Sequence, residues 1–74
     1  MVKIDWVVKA KGLIKSEIKK KNMTYEQLSI KLESMGINET PENINNKINR
    51  GKFSAVFLIQ VLSAIETTKI NIED

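Results

Sequence analysis

Apolar positions recur at helical spacing in successive segments separated by short polar breaks. In the first segment Trp6, Val7, Ala10, Leu13, Ile14 and Ile18 share one side when positions advance by about 100° per residue, while Lys9, Lys15, Ser16, Lys19 and Lys20 take the other. The spacing predicts a helix over residues 5–21, capped by the short acceptor side chain of Asp5. Gly12 lies inside it, where glycine costs about 1 kcal/mol relative to alanine, and close packing is the reason that the sequence offers. Asn22 fits the stop. Thr24 with Gln27 three residues later has capping-box spacing, and Tyr25, Leu28, Leu32 and Met35 form the apolar stripe of a second helix over residues 25–35. Ser29 beside that stripe is small enough for another helix to approach, and Ile30 lies off it. Gly36 suits the left-handed residue that ends a helix, with Ile37 packing back near Leu32.

Asn38 and Glu39 predict a turn. Thr40-Pro41-Glu42 then supplies a cap, a proline where its missing N–H costs nothing, and an acid in the first turn of a helix over residues 41–50. Ile44 and Ile48 are its strongly apolar positions, so its core contact is narrow. Glu42, Asn43, Asn46, Asn49 and Arg50 lie opposite, flanked by Asn45 and Lys47. Asparagine is a poor helix former, so this face does not serve helix stability. After Gly51, Ser54 caps a helix over residues 54–65, with Phe57, Leu58, Val61, Leu62 and Ile65 on its main face. Apolar nearly all round, it is expected to be the central core helix. Val56 and Ile59 fall outside the main arc. Ile70 and Ile72 alternate as in an extended segment, which predicts a tail over residues 67–74 lying across that second side, with a dimer partner as the alternative cover.

These elements predict an all-α fold, a single domain over residues 1–74 built as a compact bundle of four or five short helices with a central helix-turn-helix. The chain resembles the λ-repressor/Cro-like helix-turn-helix class. The motifs are Leu13-Ile14-x-x-x-Ile18-Lys19, Met23-Thr24-x-Glu26-Gln27-Leu28-Ser29-x-Lys31-Leu32, Ile48-Asn49-Arg50-Gly51 and the hydrophobic fourth helix. Over Thr24-Tyr25-Glu26-Gln27-Leu28, Asn43 to Gly51 and Lys52 to Phe57 it is also similar to a family of short bacterial proteins catalogued only as a domain of unknown function. The first resemblance implies that the third helix reads DNA. The chain departs from the class pattern at Tyr25, where such domains often have glutamine, and at Asn49, where they often have glutamate. Its helix-three isoleucines are four apart and its turn is longer than a minimal one, departures that imply a rotated or retracted reading helix.

Composition narrows the function classes. A chain of 74 residues makes one core, since domains near this size bury only about 60% of their unfolded surface. With 42% hydrophobic and 28% charged residues it is expected to fold. The absence of cysteine and histidine removes disulfides, thiolate zinc sites and the commonest general base. No apolar run approaches the roughly 20 residues of a membrane span, and no phosphate loop or nucleophile–base set is present. The expectation is a cytoplasmic protein that is not an enzyme, with no cofactor, metal, small-molecule substrate or membrane partner. Charge is segregated: residues 1–21 carry seven lysines against Asp5 and Glu17, net +5; residues 22–42 carry Lys31 against four glutamates, net −3; and residues 43–52 carry Lys47, Arg50 and Lys52 without an acid, net +3.

Duplex DNA is the expected partner of the third helix, and transcription regulation the expected role. Asparagine can pair bidentately with adenine and arginine with guanine, which makes Asn43, Asn46, Asn49 and Arg50 the candidates for bases. Lys47 and Lys52, with Lys20 and Lys21, are candidates for phosphates. The plainer account is that the asparagines cap, turn and solvate a short exposed helix. The alternative function is a protein-interaction or antitoxin-like module acting as a homodimer through Val56, Ile59 and Ile30, with the helix-turn-helix as scaffold. An RNA reading lacks an aromatic platform.

Overall fold

A side-chain oxygen starts every helix in the computed structural model, which describes residues 3–72. Asp5 accepts from the N–H groups of Val7 and Val8 at 3.1 and 3.2 Å and opens α1 (Trp6–Lys20). Thr24 and Gln27 close a reciprocal capping box at 3.1 and 2.9 Å and open α2 (Tyr25–Ser34). Thr40 accepts from Asn43 N–H at 3.1 Å ahead of α3 (Pro41–Arg50), with Pro41 in its first turn. Ser54 accepts from Phe57 N–H at 3.0 Å ahead of α4 (Ala55–Ala64). Each of these bonds satisfies donors that a helix start leaves without partners, which is why the chain turns helical at these points. Among the described residues there are four helices and no strand.

The stops are equally local. Ile37 N–H reaches Leu32 C=O at 2.9 Å around a left-handed Gly36, φ 82°, which is the Schellman arrangement expected there. Asn22 and Glu66 hold the same position after α1 and α4 at φ 54° and 57°. Gly51, at φ 68°, ends α3 and is buried against the first turn of α1.

Each helix gives the core one i, i+4 pair: Ile14 and Ile18, Leu28 and Leu32, Ile44 and Ile48, Phe57 and Val61. Ala64 and Ile65 complete the buried cluster. α1 and α2 each pack closely on both α3 and α4, while the backbones of α1 and α2, and of α3 and α4, do not come close to one another. No helix is central, therefore, and the expectation for α4 is corrected: it is one side of a four-cornered arrangement whose outward face stays open, with Val56 and Ile59 at 65% and 63% exposure. The tail does not cover that face. It leaves α4 with Thr67 N–H bonded to Leu62 C=O, and Asn71 and Ile72 lie beside α1, where they line a groove with Val8, Gly12 and Leu13. Residues 73 and 74 of the expected tail lie outside the described residues.

Three further expectations change. Trp6 is 66% exposed, because side chains on the first helical residue lean toward the helix N-terminus, here past the end of the core; Lys9 lies over its ring at 5.8 Å. Met35 is 41% exposed because it is the cap after α2 and has left helical geometry. Gly12 is not tightly packed: a Cβ built there meets nothing within 4 Å.

The two glycines make opposite predictions for stability. At Gly51 a Cβ would stand 2.5 Å from Val7 Cγ1 and 2.8 Å from Val7 O. Left-handed strain plus that overlap should make Gly51→Ala destabilising by about 2–4 kcal/mol. Gly12→Ala should stabilise by about 1 kcal/mol through helix propensity alone. Urea unfolding followed by circular dichroism measures both, and a neutral Gly51→Ala contradicts the contact.

Candidate nucleic-acid interface

Two isoleucines are all that α3 buries fully, so its position depends on what holds its ends and flanks. At the start, the turn residue Glu39 is held from both sides: Ser29 Oγ–H of α2 donates to its carbonyl at 2.5 Å, and the ammonium of Lys47 on α3 bonds to its carboxylate. That carboxylate is 8% exposed, and Lys47 also lies 5.1 Å from the Phe57 ring centroid, which links α3 to α4. At the end, Gly51 seats against Val7, and Lys11 Nζ donates to Asn49 C=O at 3.2 Å. A cation at that point also favours the negative end of the α3 dipole.

With α3 held this way, its outward face is polar and exposed. Asn43, Asn46, Asn49 and Arg50 are all exposed, and Asn46, Asn49 and Arg50 line one shallow depression. Asn49 Nδ2 donates to Asn45 Oδ1 at 3.1 Å along the helix. Among the described residues no side-chain hydrogen bond engages Asn43, Asn46 or Arg50, so their donors and acceptors face solvent. Glu42 is exposed at the positive end of the helix.

The candidate phosphate contacts divide. Lys52 is exposed directly after α3, and Lys21 is exposed as the cap of α1. Lys47 is half-buried and bound to Glu39, so it serves the fold. Lys20 pairs with Glu17 at 3.0 Å and borders the groove between α1 and the tail. The candidate interface residues also separate. Val56 and Ile59 share the outward side of α4, whereas Ile30, 70% exposed, stands on α2 between Glu26 and Glu33.

Sequence reasoning passed over Lys11 and Glu39. Lys11 had a signal, its place beside Val7 and Ile14 on the core side of α1. Glu39 had none, because its burial depends on how the turn folds back. Tyr25 packs at the core margin at the start of α2, and burial pushes its phenol above the ordinary value.

A family described as domain of unknown function (DUF6471) matches residues 6–70. The chain belongs to this family. The DUF6471 match takes in α1 to α4 and the start of the tail, so the α3 face and both of its anchorages lie within the family's span. No curated protein and no solved structure matches the chain. Among the described residues of this DUF6471 chain no group of three or more acidic, histidine or cysteine residues could hold a metal ion, and no helix is long and apolar enough to cross a membrane.

The division of the lysines is testable. Lys47→Ala leaves the Glu39 carboxylate nearly buried without its cation and should cost about 1–3 kcal/mol, discounted from a fully buried pair because Lys47 itself is partly solvated. Lys52→Ala should leave stability within about 0.5 kcal/mol of the parent. Thermal unfolding of the two variants checks this, and equal losses contradict the assignment.

Proposed function

We propose that this protein binds duplex DNA through α3, with α2, the turn and α3 acting as a helix-turn-helix of the λ-repressor-like kind, and that it regulates transcription. The observation that carries the reading is the pairing of a firmly held helix with an uncommitted polar face. α3 is fixed at both ends, yet Asn43, Asn46 and Arg50 spend no hydrogen bonds inside the fold. An α-helix fits the major groove. Asparagine matches the N6 and N7 edge of adenine, arginine matches O6 and N7 of guanine, and each good pair discriminates by about 1–3 kcal/mol. Residues 43–52 are net +3 with no acid, so the approach to phosphates is favourable. In this reading Asn43, Asn46, Asn49 and Arg50 contact bases, Lys52 and Lys21 contact phosphates, and Lys47 positions the helix through Glu39.

Fluorescence anisotropy with a randomised duplex pool, followed by selected sequences over a salt series, tests this. Binding should weaken steeply with salt. Asn46→Ala should cost the selected sequence about 1–3 kcal/mol and leave the random pool unchanged, whereas Lys52→Ala should weaken both alike. No binding at low salt sinks the proposal.

A second reading rests on Val56 and Ile59, which stay exposed on a helix without a charged residue. Here the module acts as a homodimer through α4 and the helical core is a scaffold. Light scattering decides it: Ile59→Lys should convert a dimer to a monomer, and a parent chain already monomeric at millimolar concentration removes this reading.

A further inference from the structure

Gly12 poses a problem that the interior of the fold does not answer. It sits in the middle of α1, where glycine weakens a helix, and a side chain there would touch nothing. It instead forms part of the lining of the groove between α1 and the tail. Val8, Leu13 and Ile72 give that groove its apolar surface, Lys9 its free cation, and Lys20 lines it paired with the nearly buried Glu17. Val8 and Ile72 are 57% and 59% exposed, so apolar surface faces open solvent there. The groove's charged lining is net +1, from Lys9 and Lys20 against Glu17. A glycine with no internal neighbour, set in a basic groove with apolar walls, leaves room for a bulky apolar group carried on an acidic surface.

The same chain presents such a group. Ile30 is 70% exposed and stands opposite the Leu28 and Leu32 stripe at the middle of the outward face of α2. Glu26 precedes it by four residues and Glu33 follows by three, both exposed, and with Lys31 they leave α2 net −1. Within one molecule the backbones of α1 and α2 do not come close, and no α2 residue lines the groove. The two surfaces are therefore left for separate copies. We propose that copies of this chain associate head to tail, with Ile30 of one copy seated over Gly12 in the α1–tail groove of the next and Glu26 and Glu33 facing its lysines.

Such a contact is heterologous, joining two different surfaces, so a pair keeps one knob and one groove free and chains or rings can grow. It uses the outward side of α2, the first helix of the proposed helix-turn-helix, and leaves the α3 face, Lys52 and Lys21 free. It differs also from a symmetric α4 pair, because its two halves can be disabled separately.

Sedimentation velocity on the full chain reads the outcome. Average mass should rise with protein concentration and fall as salt is raised. Ile30→Arg removes the knob and reverses its setting at an exposed position; Gly12→Leu fills the groove and improves helix propensity. Each alone should weaken association by about tenfold or more, as expected for central interface positions. An equimolar mixture of the two should form a one-to-one pair and nothing larger, because one variant retains the groove and the other the knob. Circular dichroism verifies folding, and Lys9→Glu replaces Gly12→Leu if that variant misfolds. The proposal is overturned by a parent chain monomeric at millimolar concentration in low salt, by a mixture that stays monomeric, or by association that only Ile59→Lys abolishes.

Discussion

Where α3 ends, Gly51 lies so close to α1 that a single added methyl group would come within 2.5 Å of Val7 Cγ1 and 2.8 Å of Val7 O. That contact sets how deeply the end of α3 sits against α1. It needs two properties at one position, a left-handed backbone and no side chain, and only glycine supplies both without strain. Lys11 fixes the same end from another direction by donating to Asn49 C=O. With the far end tied through Glu39 to Ser29 and Lys47, the helix is located by three polar contacts and one steric one. Ile44 and Ile48 supply burial, but two side chains of one type and one spacing do not define a rotation about the helix axis well. The terminal contacts do.

This division explains how α3 tolerates its composition. Four asparagines in ten residues weaken a helix through propensity, and the local signals around them act in the opposite sense. Thr40 caps, Pro41 restricts the unfolded chain at the first turn, Glu42 complements the positive end, and Lys47 and Arg50 complement the negative end. Since stability comes from the ends and the buried pair, the outward positions are free to carry groups chosen for something else. A polar face maintained at a cost to its own helix is informative in a way that a lysine-rich face is not, because lysine is a good helix former and needs no such offset.

What the sequence revealed depended on the range of the interactions involved. Caps and stops act over two to six residues, and Asp5, Thr24, Thr40, Ser54, Gly36 and Gly51 all sit where local reading put them. Periodicity named all four buried i, i+4 pairs. It failed at Trp6 and Met35 for one reason: period describes direction around an axis and says nothing of where along the axis the core ends. The Glu39–Lys47 pair was out of reach because it spans the turn, whose path no residue of the turn dictates alone. Gly12 stood out in the sequence, but only the geometry shows that it faces a groove and not a neighbouring helix. The base-facing candidates were legible as a face, and the structure places Asn46, Asn49 and Arg50 around one depression. It removes Lys47 from the free cations.

A four-cornered packing has a further consequence for so short a chain. If α4 were central, the other helices would wrap it and its apolar second side would be spent on the core. With α1 and α2 each bridging α3 and α4, every helix instead buries one narrow stripe and keeps a broad outward face. Those faces differ in chemistry: basic with an open glycine on α1, acidic around Ile30 on α2, rich in asparagine on α3, and uncharged around Val56 and Ile59 on α4. Because each is remote from the buried pairs, changes on one alter stability little and leave the others as they were. The narrow core is thus what allows a domain of this size to hold several chemically distinct surfaces at once, each able to be tested by substitution without unfolding the rest.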